Sequence, residues 1–278
     1  MTITLFSIIL LAFSFLAGLL GALTGLGGGI VVIPVLVLLF HIDIHYAMGA
    51  SLISVIATSS GAAAAYLREG YTNLRIGMFL ETAAVTGAFI GALLIAVIST
   101  TLLTIVFCFV LFFSAYLTMH RKEEDDILAP SHTWGTFLKL DGTYPLQNRL
   151  QEYHVQHVPL GLFLMGIAGV LSGLLGIGSG ALKVLAMDQA LRLPYKVATT
   201  TSNFMIGITA AVSAGIYFSH GFINPAISFP VMIGVTGGSL FGARILSKIN
   251  IRTLRIIFSI VICLIAIQML YKTLTGNA

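Results

Sequence analysis

The chain has 278 residues, of which 58% are hydrophobic and 9% charged, with a mean hydropathy of +1.02. A soluble domain carries about 25% charged residues, so these values exclude a water-soluble fold and imply an integral membrane protein. The net charge of +4 contains no basic run; positive loop charge is expected beside a membrane, and no nucleic-acid partner is implied.

The apolar segments are of helix length, without the alternating ten-residue pattern of a membrane barrel. The first covers residues 3–40 and is broken at 25–29 by Gly25, Gly27, Gly28 and Gly29. It lacks a basic leader and continues to Phe40, so it is read as mature structure rather than a signal peptide. Further runs cover 46–67, 74–98 and 101–119. A polar stretch follows at 121–157, in which Asp141-Gly142 lies between short alternating segments and predicts a small β-hairpin over 137–144. Its histidines, His132, His154 and His157, lack ligand spacing and are read as exposed polar residues. The next run, 159–191, is broken at 176–180 by Gly176, Gly178 and Gly180, and the last three are 197–218, 225–246 and 253–271. Cys108 and Cys263 lie inside apolar helices as small hydrophobes. Neither a metal motif, a disulfide framework nor a cofactor is indicated.

A shift of 151 residues aligns 17–119 with 168–270 without a gap, and about two dozen of roughly a hundred positions match. Gly18 pairs with Gly169, Gly25 with Gly176, Gly29 with Gly180, Ser51 with Ser202, Tyr66 with Tyr217 and Asn73 with Asn224. A period this long is that of a duplicated transporter half, not of a solenoid. The organisation read from this is a first transmembrane repeat at 1–119, a polar insert at 120–158 and a second repeat at 159–278.

Basic residues discriminate between two topologies. Four spans per half place seven lysines and arginines on one side and six on the other. If each glycine-broken segment enters and returns to the same side, the halves are inverted. One side then collects Arg68, Arg75, Arg121, Lys122, Lys139, Arg149, Arg192, Lys196, Arg244, Lys248, Arg252 and Arg255, and the other keeps only Lys272. Twelve against one is the asymmetry that the positive-inside rule demands. The fold class expected is therefore an all-α polytopic membrane protein of two inverted repeats, each a re-entrant helical hairpin plus three transmembrane helices. The insert faces the cytoplasm and both termini face outward. The return helices 30–40 and 181–191 have 11 residues each, about 17 Å at 1.5 Å per residue, so both start near the midplane.

Two helix N-termini meeting at the midplane offer backbone amides and positive dipole ends to an anion. Gly27, Gly28 and Gly29 precede one, and Gly178, Ser179 and Gly180 the other. The alternative for such glycines is close helix packing, the role given to Gly21xxxGly25, Gly87xxxGly91 and Gly238xxxGly242. Lys183 falls in the first turn of the second return helix, where a lysine costs about 2.5–3.5 kcal/mol on insertion scales. A bound anion compensates it, or else a structural ion pair with Asp188. Thr24, Ser51, Ser202 and Asn203 are candidate substrate donors, among a wider set that includes Thr58, Ser59, Ser60, Thr199, Thr200 and Thr201. Glu81 and Asp188 are candidates for proton coupling; the alternative for Glu81, two turns into its span, is a solvated interfacial carboxylate.

The run Ala17-Gly-Leu-Leu-Gly-Ala-Leu-Thr-Gly-Leu-Gly-Gly-Gly29 followed by Pro34 resembles the TauE/SafE family of bacterial sulfite and organosulfonate exporters. Ala168-Gly-Val-Leu-Ser-Gly-Leu-Leu-Gly-Ile-Gly-Ser-Gly180 is its second copy. The second motif departs from the first at Ser179, Leu185 stands where Pro34 stands in the first half, and the insert is longer than is typical. The resemblance implies transport of small sulfur-containing anions across the bacterial cytoplasmic membrane and no enzymatic activity; a homo-oligomer is compatible with it. The competing readings are an anion channel with the same site, a non-transporting scaffold, and an intramembrane enzyme in which Ser179 is a nucleophile. The last lacks a histidine deep in any span to act as base.

Overall fold

The computed structural model describes residues 3–24, 27–69, 71–119, 133–146, 149–245 and 251–275. Its helices are α1 (Ile3–Thr24), α2 (Gly29–Leu39), α3 (Ile44–Glu69), α4 (Leu74–Leu94), α5 (Thr100–Met119), α6 (Thr133–Phe137), α7 (Val158–Leu175), α8 (Gly180–Leu185), α9 (Tyr195–Ser219), α10 (Pro225–Ile245) and α11 (Ile251–Leu274). Among the described residues, five helical segments are long and apolar enough to cross a membrane: Leu5–Ala22, Leu74–Leu94, Val158–Leu175, Tyr195–Ser219 and Pro225–Gly242. Large apolar side chains such as Phe109, Phe163 and Phe229 stand exposed on the outside, as lipid contact requires and water does not favour. The protein is a mostly helical, multi-pass membrane protein.

Helix ends follow local chemistry. Asn73 caps α4, its Oδ1 accepting from the Ile76 amide at 3.1 Å. Pro225 opens α10 at a position where an N–H is not needed. Between helices, glycines let backbones touch. A Cβ on Gly238 would strike the Phe15 carbonyl, and one on Gly242 the Leu19 carbonyl one turn on, so α1 and α10 run parallel in close contact. On the other side of the bundle, a Cβ on Gly87 would strike the Gly166 carbonyl and one on Gly91 the Val170 carbonyl, binding α7 to α4, again in parallel. Each contact of the first set becomes one of the second when 151 residues are added or subtracted. By contrast, α3 and α9 run antiparallel: Gly49 lies against Phe222 beyond the end of α9, and Ser59 lies against Asn203 near its start.

The left-handed backbone positions repeat in the same way. Gly27 and Gly178 have φ of 81° and 72°, and their neighbours one helix on, His41 and Arg192, both have φ of 53°. The two broken segments are asymmetric hairpins. Their outgoing arms, α1 with 22 residues and α7 with 18, measure about 33 and 27 Å. The returning arms are short: α2 has 11 residues, and α8 continues through a π-helical turn, Ala186–Ala190. The sequence reading of a plain α-helix over 181–191 is thus corrected to six α-helical residues followed by that turn. The outgoing arm overshoots the break: the Leu174 carbonyl accepts from Tyr217 near the end of α9, and Gly176 abuts Met48 near the start of α3.

The polar insert holds an antiparallel pair, β1 (Gly142–Leu146) and β2 (Arg149–Tyr153). The turn expected at Asp141-Gly142 is corrected: Gly142 is the first residue of β1 and pairs with Tyr153, while Leu146 pairs with Arg149 at the other end. Asp141 is otherwise engaged: its Oδ1 accepts from the Val155 amide at 2.9 Å. The insert is docked. Leu140, Tyr144, Tyr153 and Val155 pack with Ile76, Leu191, Leu193 and Val197 at the ends of α4 and α9. Asn73 Nδ2 donates to the Tyr153 hydroxyl at 2.7 Å, and Arg75 Nη1 to the Lys139 carbonyl at 2.7 Å. Burial holds the Tyr153 phenol above its usual range, against the Asn73 hydrogen bond that lowers it.

Candidate functional site

The two breaks converge at one place. Gly27 and Gly178 both lie against Val55 of α3 and Ile206 of α9, and these two side chains are themselves 151 residues apart in sequence. A Cβ on Gly178 would stand 2.6 Å from Ile206 Cγ2 and 2.8 Å from Val55 Cγ1. No side chain fits there, and the positive φ disfavours one on its own account. Gly29 is closed off by Ser51 and Val55, while Gly28 lies against Thr58 and Val235. The start of α2 and the start of α8 therefore sit at mid-length of the antiparallel α3–α9 pair. Thr24 closes α1, and its side chain lies outside the described residues, as does Gly25.

The hydroxyls divide into engaged and free. Ser51 Oγ donates to the Gly176 carbonyl at 2.7 Å, which ties off the outgoing arm of the second hairpin. In this structure its proton is directed at the hairpin backbone. Ser202 Oγ donates to the Gly180 carbonyl at 3.3 Å, Thr58 to its own helix and Ser59 across to the Asn203 carbonyl. Ser179 Oγ and Asn203 Nδ2, by contrast, are buried without a hydrogen-bond partner, and so is Thr199 Oγ1. Ser179 is 2% exposed, and it holds the left-handed conformation with φ of 46° and ψ of 35°. A non-glycine residue there costs of order 1–2 kcal/mol. Its mate Gly28, the residue best able to adopt that conformation, is right-handed with φ of −65°. The strain thus sits on the hydroxyl-bearing residue.

Lys183 is fully buried. Its Nζ donates to Thr209 Oγ1 at 2.5 Å and to the Met205 carbonyl at 3.3 Å, on the turns of α9 that flank Ile206. Its ion partner is Glu81 of α4, with Nζ 3.5 Å from Oε2. This corrects two expectations. The ion pair anticipated with Asp188 is made with Glu81, because the π turn carries Asp188 on toward the end of the segment, where it is half-buried. Glu81 is not a solvated interfacial group: it is 4% exposed, and neither carboxylate oxygen has a hydrogen-bond partner. Thr209 was not singled out from the sequence. The signal was available, since it is the repeat mate of Thr58.

The sequence profile described as sulfite exporter TauE/SafE matches residues 10–269. The chain is 33% identical over 231 residues to the probable membrane transporter protein YdhB of Bacillus subtilis, covering 83% of this chain and 86% of that protein. It is 29% identical over 276 residues to the probable membrane transporter protein YunE of the same organism, covering 95% and 97%. It is 25% identical over 277 residues to the probable membrane transporter protein MJ0441 of Methanocaldococcus jannaschii, covering 94% of each. No solved structure gives a significant match. With the profile spanning nearly the whole chain and long relatives that are themselves probable transporters, this membrane transporter belongs to the sulfite exporter TauE/SafE family.

Proposed function

We propose that the protein carries small oxyanions, of the sulfite or organosulfonate class, through a site at the convergence of the two glycine breaks. The observation that carries this reading is a fully buried lysine one turn from that convergence, with free buried donors, Ser179 Oγ and Asn203 Nδ2, on the adjoining segments. Dehydrating an ion inside a protein costs several kcal/mol. Two helix N-termini contribute about 0.3–2 kcal/mol each toward an anion, so they do little more than break even. A full positive charge with hydroxyl and amide donors tips the balance. The amides after Gly27–Gly28 and Gly178–Ser179 supply the remaining donors. The family's description as sulfite exporter favours a sulfur oxyanion.

The two halves are inverted in the membrane in this reading. Support comes from the antiparallel α3 and α9, from the exchanged glycine contacts and from the twelve-to-one distribution of basic residues. The insert and the start of α4 then face the cytoplasm, the termini face outward, and both hairpins return to the side from which they enter. The membrane is the bacterial cytoplasmic membrane, and the protein moves its substrate without chemical change.

The test is binding and flux on purified protein. Sulfite, sulfate, thiosulfate, taurine, sulfoacetate and simple carboxylates are screened by thermal shift, then by uptake into liposomes. Sulfur oxyanions are expected to raise the unfolding temperature and to exchange with labelled substrate. Lys183→Gln is expected to weaken binding at least tenfold, from the loss of a charged hydrogen bond of about 1.5–3 kcal/mol. No shift with any anion, or unchanged affinity in folded Lys183→Gln, refutes the site.

A further inference from the structure

We infer that Glu81 and Lys183 form a switch that couples anion binding to the uptake of one proton: a monoanion takes Lys183 from Glu81, and Glu81 becomes protonated as it does. The inference rests on the anion-transport reading above and adds to it the coupling ion, the stoichiometry and the charge class of the substrate.

The fold does not need these charges. Adding or subtracting 151 residues takes Lys183 to Val32, Glu81 to Met232 and Thr209 to Thr58. The positions equivalent to the charged pair are thus apolar in the other half. Buried ion pairs are in general no more stabilising than apolar residues of similar volume, so retention of the charges at only one corner points to what they do rather than to what they hold.

The contacts make the pair exchangeable. An ammonium has three donors, and Lys183 directs them at Thr209 Oγ1 at 2.5 Å, the Met205 carbonyl at 3.3 Å and Glu81 Oε2 at 3.5 Å. The longest of the three contacts is the one to the carboxylate. A substrate oxyanion at the adjoining break competes for that donor. Once Lys183 is taken, the donor left beside Glu81 is the neutral Thr209, whose hydroxyl already donates to the Met205 carbonyl at 2.9 Å, so no cation remains to balance the carboxylate. An isolated buried carboxylate is removed most simply by protonation. The groups around it offer no substitute cation. Among the described residues, α7 carries no titratable side chain, and α9 carries Tyr195, Lys196 and Tyr217 only near its ends. Besides Lys183, the returning segment 180–190 carries Asp188, an acid. Arg75, on α4 itself, points out to the Lys139 carbonyl.

The charges balance. In the empty site the carboxylate and the ammonium sum to zero. With substrate, one O–H bond forms on Glu81, the ammonium pairs with the monoanion, and the sum is again zero. A dianion leaves one negative charge uncompensated. Proton and anion thus favour each other's binding, by the same factor in each direction. They cross together as an electroneutral pair, driven by the pH gradient and indifferent to membrane potential.

The experiment uses the full-length protein with methanesulfonate, a monoanion at every pH of interest, and with sulfate and sulfite for comparison. Infrared difference spectra of the wild type are expected to gain the C=O stretch of a buried protonated carboxyl when methanesulfonate is added. That band should shift in Glu81→Asp and vanish in Glu81→Gln. Wild-type affinity should fall tenfold per pH unit on the alkaline limb, the slope of one linked proton, and stay flat in Glu81→Gln. Wild-type binding without the carboxyl band overturns the switch, as does an unchanged slope in Glu81→Gln. So does failure of methanesulfonate where sulfite or sulfate binds. Failure of every anion on folded wild-type protein overturns the anion-transport reading instead. The wild-type spectrum decides the matter even if Glu81→Gln does not fold.

Discussion

Replacing the buried pair with apolar side chains separates holding from doing. Lys183 is fully buried and Glu81 is 4% exposed, so neither is reached by solvent if the other is removed. Glu81→Met alone leaves an ammonium with only Thr209 and the Met205 carbonyl, and Lys183→Met alone leaves a buried carboxylate without a cation. Stranding a buried charge costs about 3–5 kcal/mol, so each single variant should lose that much. Glu81→Met with Lys183→Met makes both positions apolar, as their equivalents Met232 and Val32 are, with side chains of similar volume. Thr209 is not orphaned by the change, because its hydroxyl also donates within its own helix, to the Met205 carbonyl at 2.9 Å. The double variant should therefore unfold within about 1 kcal/mol of the wild type, or up to about 4 kcal/mol above it, and should neither bind nor move anions. Thermal or denaturant unfolding in detergent, run as a double-mutant cycle, gives the interaction energy directly. A double variant as unstable as the sum of the singles refutes the reasoning, since the pair would then be a structural requirement of that corner.

Ser179→Gly should stabilise the protein by about 1 kcal/mol, by relieving the left-handed strain, while weakening anion affinity severalfold through loss of the hydroxyl; unfolding and binding measured on one sample check both, and Ser179→Ala should weaken binding without the gain in stability. Gly178→Ala should cost 2 kcal/mol or more, combining positive φ with overlap at Val55 and Ile206. Gly27→Ala, whose Cβ would have no neighbour nearer than 3.8 Å, should cost only the backbone term of about 1–2 kcal/mol, and comparison of the two unfolding midpoints tests the asymmetry. Cysteines placed at His41 and Arg192, both exposed, should be labelled from opposite sides of the membrane, His41 from outside and Arg192 from inside; labelling of both from one side excludes inverted halves.

The helical runs and the two breaks were legible because lipid makes hydropathy a nearly sufficient signal and because helix-breaking glycine has few roles there. The 151-residue register was legible too, and it correctly made Gly27 and Gly178, or Ser51 and Ser202, equivalent positions. What it could not convey was the use of each position. Ser51 and Ser202 look alike as donors, yet both spend their protons on hairpin carbonyls, and only three-dimensional neighbours reveal that. The hairpin in the insert was misplaced for a related reason. Asp141-Gly142 is a strong turn signal, but Asp141 is drawn to the Val155 amide 14 residues away, a contact that no local pattern encodes.

The Glu81–Lys183 pair shows where the limit lies and how the repeat helps to pass it. The two residues are 102 positions apart on different halves, so neither spacing nor helical periodicity could join them. Lys183 was read against the nearest acid in sequence, Asp188, and the π turn then carried that acid toward the end of the segment. Yet a duplicated chain contains its own control. Where one copy holds a charge and the other an apolar residue, the sequence marks the position as a departure from the shared pattern, and two departures that meet across the repeat boundary are the pair to test by the double-mutant cycle. Thr209, equivalent to Thr58, is common to both corners and serves the fold in each; Lys183 and Glu81 are the departures, and they meet at 3.5 Å.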